Sequence, residues 1–471
     1  MGKTVTVGNL KKTLHYLKRN GIRQAWYAMR ERIGTEGKAD YTYEPVEESV
    51  LQTQLREAKS MDVKFSILVP ALDTKETYLR AMIDSCLGQT YGNFELILAD
   101  ASKEDQVEKV VGTYKDPRIR YRRLRQNAGI SANTEQALMY ATGDYVGLLD
   151  HDDVLTPDAL FEMAVCIEKY KKEQIQLQLL YSDEDKCDQL QQNYFEVNRK
   201  PDFNLDLILS NNYICHFMVM KRQLMQELGF RSVCDGAQDY DLVLRCVGRI
   251  LGKENQIQRT GQGEVKPQTL PIAHIPRVLY HWRCHTQSTA QNPDSKQYAY
   301  DAGKRAVEDF LRLRGWRAEV RHLRHLGFYR IEYQPDLLAV REDAAVVGGK
   351  LIGKGNKITG GIYTAEGLPI YQGLHKEYSG YMHRASLQQE AEVIDIRCMK
   401  ASRQAETILE ELIGHPYLQH PVTGKFDWQD CLKECGCRND RDFVDLSRKF
   451  CEKVRQAGLR IVWDPVMTEK I

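Results

Sequence analysis

Short apolar segments alternate with longer mixed segments in the first half of the chain. The apolar segments cover residues 65–69, 94–99, 119–124 and 145–149, and each gap between them is long enough for a crossover helix. This alternation predicts an α/β fold in which helices cover both faces of a parallel sheet. Ligands of such sheets bind outside the carboxyl ends of the strands. We therefore expect the polar residues that follow each strand to carry the chemistry.

Length and charge limit the classes of protein that the chain can belong to. Its 471 residues exceed the usual size of one domain, and a composition of 42% hydrophobic and 28% charged residues is typical of globular proteins. The 66 basic residues nearly balance the 65 acidic residues, so that no overall positive field would attract nucleic acid. We expect two or three folded units and no nucleic-acid partner.

The N-terminal segment has helical periodicity. Residues 7–33 predict two helical pieces that are separated at Asn20 and Gly21. An apolar stripe on the second piece is formed by Ile22, Trp26, Met29 and Ile33. A hairpin packed on the main domain is favoured, and a basic amphipathic element on an anionic membrane surface is the alternative. Since we find neither a signal peptide nor an apolar run of about twenty residues, we expect a cytoplasmic protein, with peripheral contact to the inner face of the membrane as the alternative.

Small or acidic residues follow each of the four predicted strands. These residues are Pro70, Ala71 and Asp73 after the first strand, Asp100 after the second, Asn127 and Gly129 after the third, and Asp150, Asp152 and Asp153 after the fourth. Helix caps and turns use the same residue types, which is a sufficient explanation for Asp73. It is not sufficient for the last group, because three carboxylates within four residues repel one another unless a cation or several donors compensate. Asp150 and Asp152 could hold Mg²⁺ or Mn²⁺ against a diphosphate; the alternative is an acidic loop in water.

The order of these motifs resembles glycosyltransferase family 2, whose members have the GT-A fold, a Rossmann-like and mostly parallel sheet. The resemblance covers residues 61–330 and includes, in the order of the family, FSILVP (65–70), LADAS (98–102), NAGI (127–130), GDYVGLLDHDD (143–153), KPDFN (200–204), NY (212–213), GAQDYDLVLR (236–245) and LYHWRCHTQSTA (279–290). The chain is most similar to the members that build bacterial cell-surface polysaccharides, including O-antigen and rhamnan-type polymers.

The resemblance implies a role for each matching residue. Asp100 would accept a hydrogen bond from the pyrimidine base, and the other donor-binding residues would be Pro70, Ala71, Asp73, Asn127, Gly129, Asp150 and Arg283. The metal ligands would be Asp150, Asp152 and His285. Asp239 would be the catalytic base that takes the proton of the acceptor hydroxyl.

Three of these assignments have alternatives. Asp241 competes with Asp239 as the base, and either residue could cap the helix that begins there. His281 competes with His285 as the metal ligand, because the two histidines are four residues apart. A second acidic run at residues 183–185 fits the acceptor side of the cleft, but a solvated turn explains it nearly as well.

The pattern changes after residue 330, and we expect three regions. Residues 1–60 would be helical and linking, residues 61–330 the catalytic domain, and residues 331–471 a smaller α/β unit. This last unit is similar to the latter half of a second family 2 domain, but it lacks the strands and aspartates of a nucleotide site. It would be a degenerate remnant, and an unrelated small α/β domain is the alternative.

Taken together, the residues and the resemblance predict a metal-dependent transferase, and the resemblance alone implies that it is inverting. It would move a hexose or deoxyhexose from a UDP- or dTDP-sugar to a hydroxyl of a glycan or lipid-linked glycan, a precursor of a cell-surface polymer. A catalytically silent glycan-binding or scaffold protein is the alternative, but such a protein would be expected to lose the acids that this chain keeps. A nucleotidyltransferase would show a glycine-rich basic loop after its first strand, where this chain has Pro70 and Asp73.

Overall fold

The computed structural model of the chain describes residues 7–35, 41–260, 269–284, 297–432 and 437–471. Helix α1 (Val7–Thr35) is kinked at Gly21, whose φ of 78° and ψ of 168° lie outside the helical region. A positive φ is open to glycine because it has no Cβ, and the predicted break at this position is confirmed. Helix α2 (Glu48–Glu57) follows and leads to the first strand.

A nine-stranded sheet forms the centre of the molecule. Its strands are β1 (Phe65–Ala71), β2 (Phe94–Asp100), β3 (Ile119–Arg123), β4 (Tyr145–Leu148), β5 (Val154–Leu155), β6 (Leu179–Cys187), β7 (Tyr194–Asn198), β8 (Met218–Lys221) and β9 (Ile272–Arg283). The spatial order is β3-β2-β1-β4-β8-β6-β9-β5, and β7 pairs with β6.

The first four strands form the parallel half of the sheet. β1 lies between β2 and β4 and β2 pairs with β3, all in parallel, which confirms the predicted α/β fold. The other half is mixed: β8 is antiparallel to β4 and β6, while β6 and β9 are parallel. The periodicity of the sequence did not reveal this second half.

Helices cover both faces of the sheet, as predicted. They are α3 (Glu76–Leu87), α4 (Gln106–Val111), α5 (Ile130–Leu138), α6 (Ala159–Lys172), α7 (Leu205–Ser210), α8 (Arg222–Leu228), α9 (Gln238–Thr260) and α10 (Gln297–Leu313). Because successive side chains of a strand point to opposite faces, Leu96 and Leu98 of β2 join one hydrophobic core and Ile97 and Ala99 join the other. The first core also contains residues of α3 and α6, and the second contains residues of α5, α9 and α10.

A smaller α/β unit follows, as the sequence predicts. A separate antiparallel pair, β10 (Ala318–His322) and β11 (Tyr329–Tyr333), lies at the predicted boundary. The strands after it are β12 (Ala344–Ile352), β13 (Ile358–Gly360), β14 (Ile362–Tyr363), β15 (Gln389–Glu390), β16 (Val393–Ile394), β17 (Met399–Ala401) and β18 (Arg460–Lys470). Its helices are α11 (Leu337–Val340), α12 (Arg403–Ile413), α13 (Trp428–Cys431) and α14 (Asp440–Gln456). β12 and β18 run parallel at the centre of a five-stranded sheet.

This unit packs directly on the large sheet domain near α7. Arg341 donates a 2.5 Å hydrogen bond from Nη1 to Oδ1 of Asp206, and both side chains are buried. Leu387 and Val462 of the smaller unit belong to the same hydrophobic core as residues of α7 and α9. The domain boundary at residue 330 stays a prediction, and the apolar packing is continuous across it.

Candidate active site

The carboxyl ends of β1, β2 and β4 meet at one edge of the sheet. Ala71, the last residue of β1, pairs in register with Asp100, the last residue of β2. The backbone N–H of Leu149 donates to the carbonyl of Leu68, which continues β4 alongside β1 up to Asp150. The predicted donor-binding residues Ala71, Asp100 and Asp150 therefore start from the same edge. Pro70 precedes Ala71 on β1 and is partly exposed.

Side-chain hydrogen bonds connect the loops at this edge. Ser102 Oγ accepts a 2.8 Å hydrogen bond from the Asp73 N–H, and Asp73 Oδ1 accepts one of 3.2 Å from the Lys103 N–H. Thr74 Oγ1 lies 2.9 Å from Nδ1 of His151, in the acidic loop after β4. The first two contacts join the loop after β1 to the loop after β2. The third joins the loop after β1 to the acidic loop after β4.

Asp100 is fully buried and firmly held. Oδ1 accepts a hydrogen bond from the Ser102 N–H at 2.9 Å, while Oδ2 accepts from the Tyr121 hydroxyl at 2.7 Å and from Arg123 Nη1 at 2.9 Å. A carboxylate offers about four acceptor positions, so these three bonds leave capacity for one more donor. The guanidinium of Arg123 compensates the buried charge. The role of Asp100 in binding a base stays a prediction.

Asn127 and Gly129 shape the start of α5. Asn127 Oδ1 accepts hydrogen bonds from the Gly129 N–H at 3.1 Å and from Asn133 Nδ2 at 2.9 Å. Gly129 has a φ of 93°, and a Cβ at this position would lie 2.2 Å from Oδ2 of Asp235. The contacts of both residues are thus structural, and their predicted contact with the donor remains untested.

Two aspartates and a histidine come together in the acidic loop region. The group consists of Asp150, Asp153 and His216. Each offers one ligand atom, these atoms all lie within 4.8 Å of one another, and the group could therefore hold a metal ion. Asp153 is oriented by β9, since its Oδ2 accepts a 2.5 Å hydrogen bond from the Tyr280 hydroxyl and its Oδ1 one of 2.7 Å from the Arg283 N–H. His216 stacks on the Tyr280 ring with centroids 4.5 Å apart.

The electrostatics of this group favour a cation. Removal from water raises the pKa of Asp150, to which Asp152 and Asp239 also contribute, while His216 and His151 oppose them. Burial likewise raises the pKa of Asp153 well above its usual range, and Asp152 and Asp150 add to the effect. A divalent cation would offset this repulsion. The donor set of carboxylate oxygens with one imidazole fits Mn²⁺ and, with fewer protein ligands, Mg²⁺.

Asp152, the predicted direct metal ligand, is not a member of this group of three. Its side chain is partly exposed, and its carbonyl accepts a 2.6 Å hydrogen bond from Arg283 Nε. It lies close enough to raise the pKa of both Asp150 and Asp153. Its coordination of a metal stays a prediction, and the geometry adds Asp153 and His216 to the candidates.

Arg283 supports the acidic loop from within the protein. Its guanidinium is buried, donates from Nη1 to the Gln189 carbonyl at 2.8 Å and lies 4.9 Å from the centroid of the Tyr78 ring. Its Nη2 has no hydrogen-bond partner within the part of the chain that the structure describes. This nitrogen is the first candidate for the predicted contact with an anionic donor.

The two candidate histidines, His281 and His285, are not equivalent. His285 lies outside the described residues. His281 is buried, its Nδ1 lies 2.5 Å from Asp185 Oδ1, and the Tyr41 hydroxyl donates to Asp185 Oδ2 at 2.7 Å. Because neighbouring residues of a strand face opposite sides, His281 points away from the side on which Tyr280 contacts Asp153. His281 is therefore a structural residue and not a member of the acidic group.

The second acidic run is buried in β6. Asp183 Oδ1 accepts a hydrogen bond from the Lys200 N–H at 2.8 Å and lies 2.9 Å from His274 Nε2. Glu184 Oε1 accepts from Asn198 Nδ2 at 3.0 Å, and Lys200 Nζ lies 3.7 Å from its Oε2. The alternative of a solvated turn at residues 183–185 is wrong, because these carboxylates are paired inside the sheet.

Asp239 and Asp241 have different partners in the first turn of α9. Asp239 Oδ2 accepts hydrogen bonds from Asn212 Nδ2 at 2.8 Å and from the Cys215 thiol at 3.5 Å. Asp241 is buried and pairs with Arg231 and with Arg245, whose Nε lies 2.8 Å away. Asp241 thus has a structural role, and the geometry favours Asp239 as the candidate for the catalytic base.

Sequence reasoning missed His216, Tyr280 as a site residue, and Cys215. His216 follows the conspicuous residues Asn212 and Tyr213 by only a few positions. A histidine just before the apolar strand β8 is the signal that could have revealed it. Tyr280 has no such signal, since its pattern in β9 is that of a core residue.

Part of the chain is similar to a known family of proteins. Residues 66–229 match the family model described as Glycosyl transferase family 2. The family resemblance seen in the sequence is thus confirmed over these residues.

Among the relatives is the uncharacterized protein y4gI of Sinorhizobium fredii, 37% identical over 52% of this chain and 25% of its own length. The O-antigen biosynthesis protein RfbC of Myxococcus xanthus is 30% identical over 57% of this chain and 19% of its own. The chain thus spans a quarter or less of the length of these two relatives.

Among solved structures, that of S. aureus TarS 1-349 in complex with UDP-GlcNAc is 15% identical, with a TM-score of 0.39 over 53% of this chain and 66% of that one. None of the helices in the described parts of the chain has the length and apolar character of a transmembrane span.

Proposed function

We propose that the chain is an inverting, metal-dependent glycosyltransferase that acts on a UDP- or dTDP-sugar. The acceptor would be a hydroxyl of a glycan or lipid-linked glycan, a precursor of a cell-surface polysaccharide. One observation carries the proposal: the group formed by Asp150, Asp153 and His216 lies within electrostatic reach of Asp239, at the sheet edge of a family 2 domain. The names of the relatives, such as O-antigen biosynthesis protein, agree with such a substrate class.

The cation site would be built from the acidic loop. Asp150, Asp153 and His216 would hold Mg²⁺ or Mn²⁺, with Asp152 and His285 as the further predicted ligands. A bound divalent cation would supply positive charge to the diphosphate leaving group. Tyr280 keeps Asp153 in place, and its ring supports the imidazole of His216.

The donor would lie along the carboxyl ends of β1 and β2. Asp100 is fixed by Arg123 and retains acceptor capacity for the N3–H of a uracil or thymine base. The loop that contains Pro70, Ala71 and Asp73 would form the neighbouring wall. The hydrogen bond from the Asp73 N–H to Ser102 Oγ holds this loop against the loop after β2, which follows Asp100.

Asp239 would act as the base. Both of its hydrogen bonds reach Oδ2, so Oδ1 has no partner among the described residues and is available to accept the proton of the acceptor hydroxyl. As that proton moves to the carboxylate, the hydroxyl oxygen forms a bond to the anomeric carbon and the bond from that carbon to the diphosphate oxygen breaks. Attack from the side opposite the leaving group inverts the configuration. Asn212 and Cys215 hold the carboxylate in one orientation.

The proposal is tested by separating donor binding from transfer. UDP-, dTDP- and GDP-sugars are screened for binding by calorimetry and for hydrolysis, each with Mn²⁺ and with a chelator. We expect Asp150→Asn, Asp152→Asn and His216→Ala to weaken metal-dependent donor binding, and Asp239→Asn to keep binding but lose turnover. Asp445→Asn, an exposed acid of α14, is the matched control and should behave as wild type.

Two results would overturn the proposal. Turnover that survives Asp239→Asn excludes this residue as the base. If no nucleotide sugar is bound or turned over while a glycan still binds, the chain is instead the catalytically silent glycan-binding protein.

A further inference from the structure

Part of helix α1 presents apolar side chains to solvent. Ile22 is 81% exposed, Trp26 45% and Met29 54%. Spacings of four and three residues place these side chains on one face of the helix. The sequence favoured packing of this stripe against the main domain, yet the stripe is turned outward. The side chain of Ile33, the fourth member of the predicted stripe, lies outside the described residues.

Specific contacts of the opposite face fix this orientation. Glu31 accepts hydrogen bonds from the Ser379 N–H at 3.1 Å and from the Gly380 N–H at 2.6 Å. Gln24 Oε1 accepts one of 2.8 Å from Arg324, and the Tyr27 ring stacks on a histidine, His375, at 5.0 Å. Because polar and aromatic residues attach the helix to the smaller unit, the apolar stripe cannot turn inward without breaking them.

The sequence of helix α1 is also basic. Between Val7 and Thr35 the only acid is Glu31, which the contacts with Ser379 and Gly380 already use. The same segment contains seven basic residues, namely Lys11, Lys12, Lys18, Arg19, Arg23, Arg30 and Arg32.

Two of these arginines flank the apolar stripe. The Arg30 guanidinium lies 4.9 Å from the centroid of the Trp26 ring. Arg23 is exposed, with its Nη2 3.7 Å from Glu377 Oε1. Apolar side chains bordered by arginines match the boundary between lipid tails and anionic headgroups, where tryptophan is also favoured.

We propose that residues 22–32 form a docking surface for an anionic lipid bilayer, with the helix lying parallel to the membrane plane. Ile22, Trp26 and Met29 enter the boundary of the acyl chains, and Arg23 and Arg30 contact lipid phosphates. A second copy of the chain is a poorer occupant, since pairing two such faces brings like charges together. This surface is independent of the proposed transferase activity.

The experiment measures co-sedimentation of the full chain with lipid vesicles. We expect binding to phosphatidylcholine vesicles that contain about 30% phosphatidylglycerol, and much weaker binding to phosphatidylcholine alone. Raising the salt to about 0.5 M should weaken the binding to anionic vesicles. Brominated lipid should quench wild-type tryptophan fluorescence, and the quenching should be largely lost in Trp26→Phe.

The decisive variant replaces Ile22, Trp26 and Met29 by serine. These side chains are exposed, so the fold should be retained, and binding to anionic vesicles should fall about tenfold or more. Val422→Ser is the matched control, because Val422 is 86% exposed on the smaller unit. Equal binding by wild type and the triple variant, or no binding by wild type, would overturn the proposal. Concentration-dependent self-association of wild type that the triple variant lacks would overturn it in favour of a second copy.

Discussion

The hydroxyl of Tyr280 donates a 2.5 Å hydrogen bond to the carboxylate of Asp153. The same oxygen lies 3.4 Å from the backbone nitrogen of Asp150, so that one side chain of β9 supports the acidic loop at both ends. Both Tyr280 and Asp153 are buried, where a lost donor cannot be replaced by bulk water. The geometry of the cation group therefore depends on a residue that donates no ligand to it.

Replacing Tyr280 by phenylalanine should weaken metal-dependent donor binding about tenfold and reduce the free energy of unfolding by about 1–3 kcal/mol. Both effects follow from leaving Asp153 with one donor fewer. Calorimetric titration with Mn²⁺ and nucleotide measures the first, and chemical denaturation the second. Tyr181→Phe, which loses a buried 2.8 Å hydrogen bond to the Pro201 carbonyl, should reduce stability alone. Equal donor binding by wild type and Tyr280→Phe would show that Asp153 does not depend on this bond.

Asn212 is a positioning residue for Asp239. Asn212→Ala removes the 2.8 Å hydrogen bond to Oδ2 and should lower kcat about tenfold, while KM for the donor stays near the wild-type value. Steady-state kinetics with varied donor separates the two parameters. Asn193→Ala removes a comparable amide-to-carboxylate bond at the surface, to Asp188, and should change neither. A rise in KM at constant kcat would assign Asn212 to donor binding instead.

Gly129→Ala should reduce the free energy of unfolding by more than the strain of a positive φ alone. A Cβ at this position would lie 2.2 Å from Asp235 Oδ2, in addition to the strain of a φ of 93°. Gly373 has a φ of 85° and no atom within 4 Å of such a Cβ, so Gly373→Ala measures the cost of a positive φ without a steric clash, about 1–2 kcal/mol. We expect Gly129→Ala to exceed this cost by about 1 kcal/mol or more in urea denaturation. Similar losses in both variants would mean that the loop relaxes freely.

The stacked pair His325 and His383 should make the protein sensitive to acid. Burial lowers the pKa of His325 to about 3, with His383 as the next cause, and burial lowers that of His383 to about 4. The ordinary pKa of histidine is 6.5, so both side chains are largely neutral above that pH in the folded and in the unfolded chain. As the pH falls from 6.5 towards 4, the unfolded chain binds protons that the folded chain does not. The free energy of unfolding should then fall by up to about 1.4 kcal/mol per pH unit for each histidine.

Thermal unfolding between pH 7 and 4.5 measures this effect. The double variant His325→Gln, His383→Asn should show a shallower loss of stability with acid than wild type. His420→Asn, at an exposed histidine, is the control and should follow the wild-type curve. Parallel curves for wild type and the double variant would exclude the pair as the source.

The sequence predicted β1 to β4 well, because each is an apolar run between turn residues, and predicted which aspartates end at the shared edge. It did not predict β6, β8 and β9, whose pairing depends on contacts distant in the chain. His216 and Tyr280 join the site through that pairing, which explains why they were missed. A solvated turn stayed open as an alternative for the acids at residues 183–185 because their partners, such as Lys200 and His274, are remote in sequence. For the apolar stripe of α1 the sequence left packing on the main domain and exposure to a membrane as alternatives, since periodicity identifies a face but not its direction.

The ion pair between Arg341 and Asp206 has a consequence for attempts to shorten the protein. Ending the chain at residue 330 would leave the buried carboxylate of Asp206 without its counter-ion. It would also expose to water the apolar surface that Leu387 and Val462 now cover. Such a fragment should aggregate or unfold rather than yield a minimal enzyme. Whatever ancestry the smaller unit has, the larger one has come to rely on it as a scaffold.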